Sequence, residues 1–328
     1  MLMVNGRLFW ILAFLALVVG SPYAQRRRHV HAPSSKPHTP QIKQDLLILR
    51  YKPQAGTLLY DIRTEVDQHV RTDRDELSGG LVSTAQLAFH SVAVDYKKGL
   101  WSFDQYFVNF LLAGRQLTGD SLQLRENGAV DKITRLTYDM KGHELSKQIV
   151  DSITLLNTEA QANSYFLEPP RLLIPLPERS VTYGNSWNDH RKDTITVRDT
   201  VNIGITSGEY TYDVYRIYKL DRLLDTLQSY LAVIVATDSG SFAGFQSNSA
   251  TKVSIKIKGP ISGADTTYLD LFSGRVLMHT LRMAIPVLVE ISSASTLSNE
   301  ATTPFTDFED VRSIVVLNES NAMKLKGN

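Results

Sequence analysis

Four prolines within nine residues, Pro169, Pro170, Pro175 and Pro177, set the strongest limit on how this chain can fold. Proline has no amide hydrogen to donate and restricts its predecessor to extended conformations. The stretch is therefore neither helix nor central strand. The run from Leu173 to Trp187 is expected to cross the molecule as an extended segment. Gly184 permits a tight turn that delivers Trp187 as a large anchor with a polar edge.

On either side of this crossing the dominant period is two, the signature of strands with one buried face. In the first half, Leu46–Tyr51 and Thr57–Val66 read as strands around a turn at Lys52-Pro53-Gln54-Ala55-Gly56. Leu81–Tyr96 and Leu100–Leu112 follow, turned by Lys97-Lys98-Gly99, and then Ala129–Asp139 and His143–Val150. The second half carries strand candidates at 193–202, 209–218, 230–237, 252–258, 266–271, 275–291 and 305–317. Within 275–291, Leu281, Met283, Ile285, Val287 and Val289 alternate with more polar neighbours, and Pro286 suggests an edge or a bulge. Leu136–Leu145 and Thr267–Leu277 share a plan of strand, Asp, Gly turn and returning strand, a weak internal repeat. Polar stretches at 67–80, 113–128 and 152–166 leave room for short helices. The expected fold is mainly β: large antiparallel curved sheets, a half-barrel or two fused meanders, since sheets of this size curl or split. The β domain is placed at 45–328, with halves 45–168 and 178–318.

Ahead of it, Arg7, an apolar run from Leu8 to Val19 and the small residues up to Ala24 read as a secretory signal peptide at 1–24, cleaved after Ala24. The apolar run is shorter than a spanning helix needs. Arg26, Arg27 and Arg28 directly after it disfavour export, so an uncleaved membrane anchor is the alternative. Residues 25–44, rich in Pro, His and basic side chains, read as a linker whose arginines suit a membrane surface or another envelope partner. The chain has no cysteine, hence no disulfide and no lipid-accepting thiol. The expected location is periplasmic or secreted. The chain holds 35 basic and 34 acidic residues; with Arg7 and the five basic residues of 25–45 set aside, together with Asp45, 29 and 33 remain. A mildly acidic body of this kind is not expected to bind nucleic acid.

Local motifs for chemistry are sparse. Thr237-Asp238-Ser239-Gly240 resembles the Asp-Ser/Thr-Gly loop of aspartic proteases, which need two such carboxylates sharing a proton. The chain has no second copy, so Asp238 would act only in a symmetric dimer; a plain hairpin turn accounts for Ser239-Gly240-Ser241 equally well. His69, His90, His143, His190 and His279 show no metal-ligand spacing, and His29, His31 and His38 lie in the linker. No phosphate-cradling loop, dinucleotide fingerprint or nucleophile elbow is present, and no cofactor or metal is expected. The aromatic residues lead elsewhere. Trp101, Phe103 and Phe107 share one strand face, as do Tyr210, Tyr212 and Tyr218. Such rings are either ordinary sheet core or the wall of an apolar cavity in a curved sheet.

The phrases Leu49–Tyr60, Leu176–Trp187 and Leu269–Leu277, in this order, resemble a group of secreted bacterial β proteins of unknown function in which the second phrase opens the second half. More remotely, the arrangement is similar to the lipoprotein carrier LolA, an unclosed antiparallel barrel whose concave face holds acyl chains under helical segments. The resemblance implies an exported protein that holds an apolar or amphiphilic ligand, such as a lipid, without catalysis. Trp101, Phe103 and Phe107 are its candidate ligand-binding residues. A structural or interaction module of the bacterial envelope is the second expectation, and a dimeric protease built on Asp238 the third.

Overall fold

The computed structural model describes residues 46–151, 171–199, 206–248, 253–293 and 304–318, apart from 54, 74, 118, 126–129 and 227–228. The expected signal peptide, the linker and the stretch 152–166 lie outside the described residues. Twelve strands follow in order: β1 (Thr57–Arg71), β2 (Glu76–Asp95), β3 (Leu100–Arg115), β4 (Ser121–Arg125), β5 (Thr134–Asp139), β6 (Glu144–Ile149), β7 (Ser186–Asp199), β8 (Thr206–Asp225), β9 (Tyr230–Asn248), β10 (Val253–Asp270), β11 (Arg275–Ser293) and β12 (Phe305–Leu317). All belong to one antiparallel sheet in the order β6-β5-β3-β2-β1-β12-β11-β10-β9-β8-β7, with β4 beside β3. The sheet is not closed. The two halves meet at its centre, where β1 pairs with β12 from Tyr60 opposite Leu317 to Arg71 opposite Thr306.

Strict alternation explains why these residues form one wall. Along β12 each odd-numbered residue is buried and each even-numbered one is not. Strands of up to 20 residues then carry enough right-handed twist to curl the sheet around its apolar face.

Two of the three stretches that left room for helices are mostly strand where described, with short turns between. Residues 67–71 and 76–80 belong to β1 and β2, and 113–115 and 121–125 to β3 and β4. Their polar content is that of a strand's outer side, with Gln68 turned inward between outward Asp67 and His69. Leu46–Tyr51 is not a strand either. Only Leu47 forms a bridge, to Val181, and the Tyr51 amide bonds instead to the turn at Met140. Pro286 sits in a central strand rather than at an edge. The β10–β11 ladder breaks around it, between Lys258 opposite Leu288 and Ser262 opposite Ala284.

One end of the curled sheet is held by a clasp of two irregular segments, 46–53 and 171–185. The crossing segment buries Leu172, Leu173, Ile174 and Leu176, each worth about 1.5–3 kcal/mol relative to exposure. Buried Tyr51 ties the two segments together: its hydroxyl donates to the Ile174 carbonyl (3.0 Å) and accepts from the Ile174 amide (2.9 Å). Tyr51 N–H donates to Met140 O, Met140 N–H to Gly99 O, and Lys52 N–H to Gly274 O. Three hairpin turns thus hang on one belt. The Lys141 ammonium donates to the carbonyls of Leu49 and Pro177, and the Trp187 indole N–H to Pro175 O at 2.9 Å. Trp187 is the anchor its position in the sequence suggested.

The turns are pre-set by the repeat seen in the sequence. Asp139 accepts from the amides of Lys141 and His143, and Asp270 from those of Phe272 and Ser273. Gly142 (φ +82°) and Gly274 (φ +66°) take the left-handed backbone that follows. A Cβ on Gly142 would lie 2.3 Å from Ile174 O and 2.6 Å from the Tyr51 ring.

Two substitutions test the clasp in urea unfolding. Tyr51→Phe, which leaves both Ile174 backbone groups without their partner, is expected to lower stability by about 1–3 kcal/mol. Gly142→Ala combines a disfavoured φ with a backbone clash and should lose at least as much, about 1–3 kcal/mol from backbone strain alone.

Candidate functional site

The inner wall nearest the clasp is aromatic. Trp101, Phe103 and Phe107 of β3 are all buried on the inner face. Phe103 meets Trp101 and Phe89 at 4.9 Å between centroids and stacks on Tyr138 at 5.6 Å. Phe107 packs edge-on against Phe110 at 5.6 Å. The Trp101 indole N–H donates to Ser91 Oγ. Two grooves among the described residues, one of 680 Å³ beside the crossing segment and one of 810 Å³ against Phe245, Lys256 and Lys258, are lined by none of these three rings. Tyr210, Tyr212 and Tyr218 are likewise buried, on β8. Burial pushes the Tyr51, Tyr60, Tyr138 and Tyr218 hydroxyls well above their ordinary range, so all four are neutral hydrogen-bonding groups.

Further along β8–β10 the wall becomes charged. Asp238 is 3% exposed and lies within β9, not at a turn. The Arg216 guanidinium grips both its oxygens at 2.7 Å, also donates to Tyr218 Oη (3.2 Å), and has Asp265 at 3.9 Å. Burial raises Asp238 to about 6 while the arginine draws it back; Asp265 is raised by burial to about 6 as well. A carboxylate locked to a guanidinium inside one chain's sheet cannot share a proton with a symmetry mate, which removes the protease expectation. Nearby, His279 Nδ1 lies 3.0 Å from Thr267 Oγ1, and burial lowers this imidazole to about 3, keeping it neutral. Among the described residues no three His, Asp or Glu side chains gather as metal ligands.

A second polar cluster lies where β1 meets β12. Gln68 and Glu309 face each other in register, with Asp307 one inward step away. All three are buried. The Gln68 amide nitrogen donates to both Asp307 oxygens, at 3.1 and 2.9 Å. Gln68 Oε1 and both Glu309 oxygens have no partner. Burial raises Asp307 to about 6; burial and then the Asp307 charge hold Glu309 well above the ordinary carboxyl range.

The outer wall mixes charged side chains with exposed Tyr215, Ile217, Phe245, Ile314 and Val316. At mid-height it carries the ion pairs Arg63–Glu65, Arg312–Asp67, Arg312–Asp310 and Arg282–Asp310. No helix among the described residues is long and apolar enough to cross a membrane.

Apolar exposure gathers at the clasped end. Tyr96, Leu46, Phe272, Tyr183 and Ile48 are 65–76% exposed, five of the six most exposed large apolar side chains among the described residues. They sit on the turns and segments that the belt joins. Exposed Arg50, Lys97, Lys98 and Arg179 stand among them. None of this rim was legible as a site, because its residues come from turns and segments far apart in the sequence. Its signal was the Asp-then-Gly turn plan of the repeat, which places 95–99, 139–142 and 270–274 at one end. Gln68, Arg216, Asp307 and Glu309 were also missed, although the alternation Phe305, Asp307, Glu309, Val311 puts the two acids on the face of the apolar residues.

Two measurements follow. Asp238→Asn strips a buried guanidinium of its counter-charge and should cost about 3–5 kcal/mol in urea unfolding. The raised pKa values of Asp265 and Asp307 mean that the folded state holds protons the unfolded chain releases near pH 3.9. Their stabilising contribution is present below that pH and is lost as pH rises through about 6. These groups, with Asp238 raised to the same range, pull the melting temperature down between pH 4 and 7 while buried His279 pulls it up, so the check is the difference between chains: Asp307→Asn should lose less stability than the parent across this window.

No protein-family model and no curated protein sequence matches the chain. Among solved structures it is similar to Pseudomonas aeruginosa OccK2 (OpdF) in complex with glucuronate, at 6% identity over 80% of this chain and 100% of that one, TM-score 0.23. It is also similar to Acinetobacter baumannii OccAB1 (4%, 80% and 96%, TM-score 0.21) and to the Vibrio cholerae outer membrane protein OmpT (9%, 80% and 100%, TM-score 0.20). These neighbours are outer-membrane β-barrels rather than carriers of the LolA type. At such identities and scores the likeness says nothing about function.

Proposed function

We propose that this chain is a non-catalytic protein of the bacterial envelope that works at an anionic lipid surface, which it meets with its clasped rim. The observation that carries this reading is the gathering of Tyr96, Phe272, Tyr183, Leu46 and Ile48 at one end of a sheet whose outer wall is charged. Aromatic rings with flanking lysine and arginine suit the headgroup boundary, where rings enter the interface and cations meet lipid phosphate. Arg26, Arg27 and Arg28, which precede Leu46 in the sequence, carry charge of the right sign.

A second reading, that an amphiphile is held inside the curled sheet, is favoured by the buried oxygens of the inner wall that lack partners. Trp101, Phe103 and Phe107 would then form the floor beneath its apolar part. A lipid found at stoichiometric amount in solvent extracts of the gently purified protein would support it.

The rim is tested by co-sedimentation with vesicles. Binding is expected to vesicles containing phosphatidylglycerol, weakly or not at all to pure phosphatidylcholine, and to fall as salt shortens the reach of charge. The double variant Tyr96→Ser/Phe272→Ser and the charge reversal Lys97→Glu/Lys98→Glu should each weaken it roughly tenfold or more. No binding to anionic vesicles at low salt, or equal binding by both variants, would overturn the proposal.

A further inference from the structure

We propose that Gln68, Asp307 and Glu309 form a site for a hard divalent cation, best suited to calcium, on the inner wall where the first and last strands pair.

The strands fix the three side chains on one face. Gln68 stands opposite Glu309 across the β1–β12 ladder, and Val70 opposite Asp307. On the other side, Ile285 and Val287 of β11 flank the two acids in register. Two residues along a strand are about 6.6 Å apart, so the acids project side by side, close enough for one ion to bridge them. Glu309 is 0% exposed, with neither carboxyl oxygen bonded.

Among the described residues no cation is placed to balance the pair. The inward side chains of β11 at this height are Met283, Ile285 and Val287. Those of β1 above Gln68 are Val66 and Thr64, the latter engaged with Ser313 at 3.0 Å. Arg216, the cation on the inner wall of β8, is committed to Asp238 in bidentate fashion. Arg282 and Arg312 lie on the outer wall with Asp310 and Asp67. Two buried carboxyls without a counter-charge are expensive to keep ionised, and a bound cation resolves that cost.

The donor set selects the ion. It contains oxygen alone, from two carboxylates and an amide, and no nitrogen or sulfur ligand that would favour zinc or copper. Gln68 turns its NH₂ to Asp307, which leaves Oε1 bare beside Glu309. A bidentate Glu309, one Asp307 oxygen and the Gln68 amide oxygen give about four of the six to eight oxygens that calcium takes at flexible geometry. Magnesium, which demands a tight octahedron and keeps its water, fits this apolar surround less well.

The test uses the purified chain stripped with chelator, followed by calorimetric titration and thermal unfolding in CaCl₂, MgCl₂ and NaCl of matched ionic strength. Calcium is expected to bind at about one ion per chain and to raise the melting temperature progressively, magnesium to do so more weakly, and sodium not at all. Glu309→Gln keeps the shape and removes one charge, so it should melt higher than the parent without calcium and bind calcium roughly tenfold or more weakly. Gln68→Met, which removes the amide oxygen without touching either acid, provides a second variant should the first fail to fold; it too should weaken binding. A parent chain that shows neither heat nor a melting shift up to millimolar calcium would overturn the site. So would a response that sodium reproduces, or one that both variants retain in full.

Discussion

The hydroxyl of Tyr51 serves two backbone groups that could find no other partner. The crossing segment is barred from the sheet by its prolines, yet it buries Leu172, Leu173, Ile174, Leu176 and Val181, and buried backbone must be bonded. Tyr51 satisfies Ile174 in both directions, donating to its carbonyl and accepting from its amide. With that segment fixed, Trp187 can reach Pro175 at the start of β7, Lys141 can hold Leu49 and Pro177, and the hairpin turns lock to each other. An open sheet of twelve strands has two raw edges, β6 and β7. Arg171 spans from one to the other, donating to Gly142 O beside β6 and standing 3.9 Å from Asp189 of β7. Edge strands left bare invite pairing with other chains. The clasp is therefore a protection of the edges as well as a floor for the core.

The two walls divide the labour. Charges outside are paired across neighbouring strands and exposed to water, where such pairs add little to stability. Charges inside are few but consequential. The Arg216–Asp238 grip is nearly fully desolvated, and its worth lies less in net stability than in the penalty for breaking it. It fixes the register of β8 against β9, because a slip of one residue would send the arginine to the wrong face.

How much of this the sequence discloses depends on the range of the interaction. Period-two alternation and Gly turns are local, and from them the β class, most hairpins and the inward set Trp101, Phe103, Phe107 and Tyr210, Tyr212, Tyr218 could be read. The crossing segment was legible for the same reason, since four prolines speak without context. The stretches 67–80 and 113–125 misled because polar composition there belongs to one side of a strand, and composition alone carries no direction. Asp238 misled differently: its local phrase matched a loop, but its partner Arg216 lies 22 residues away on another strand. Gln68 and Asp307 are 239 residues apart, and nothing short of the β1–β12 register joins them.

That register also bears on the order of events during folding. The first strand of the sheet takes its second neighbour from the last strand, through contacts such as Thr64 with Ser313, 249 residues apart. Until Phe305–Leu317 arrives, one side of β1 has no strand to pair with, while the neighbouring β2 and β3 hairpin can already form. A chain that emerges from its N-terminus must keep this seam open and unspoiled through the folding of everything between. Contacts so remote in sequence make for slow folding and a long exposure to wrong partners. The outward charges of β1, Asp61, Arg63, Glu65 and Asp67, stand along the waiting strand. They serve as its guard against premature neighbours before they serve as surface.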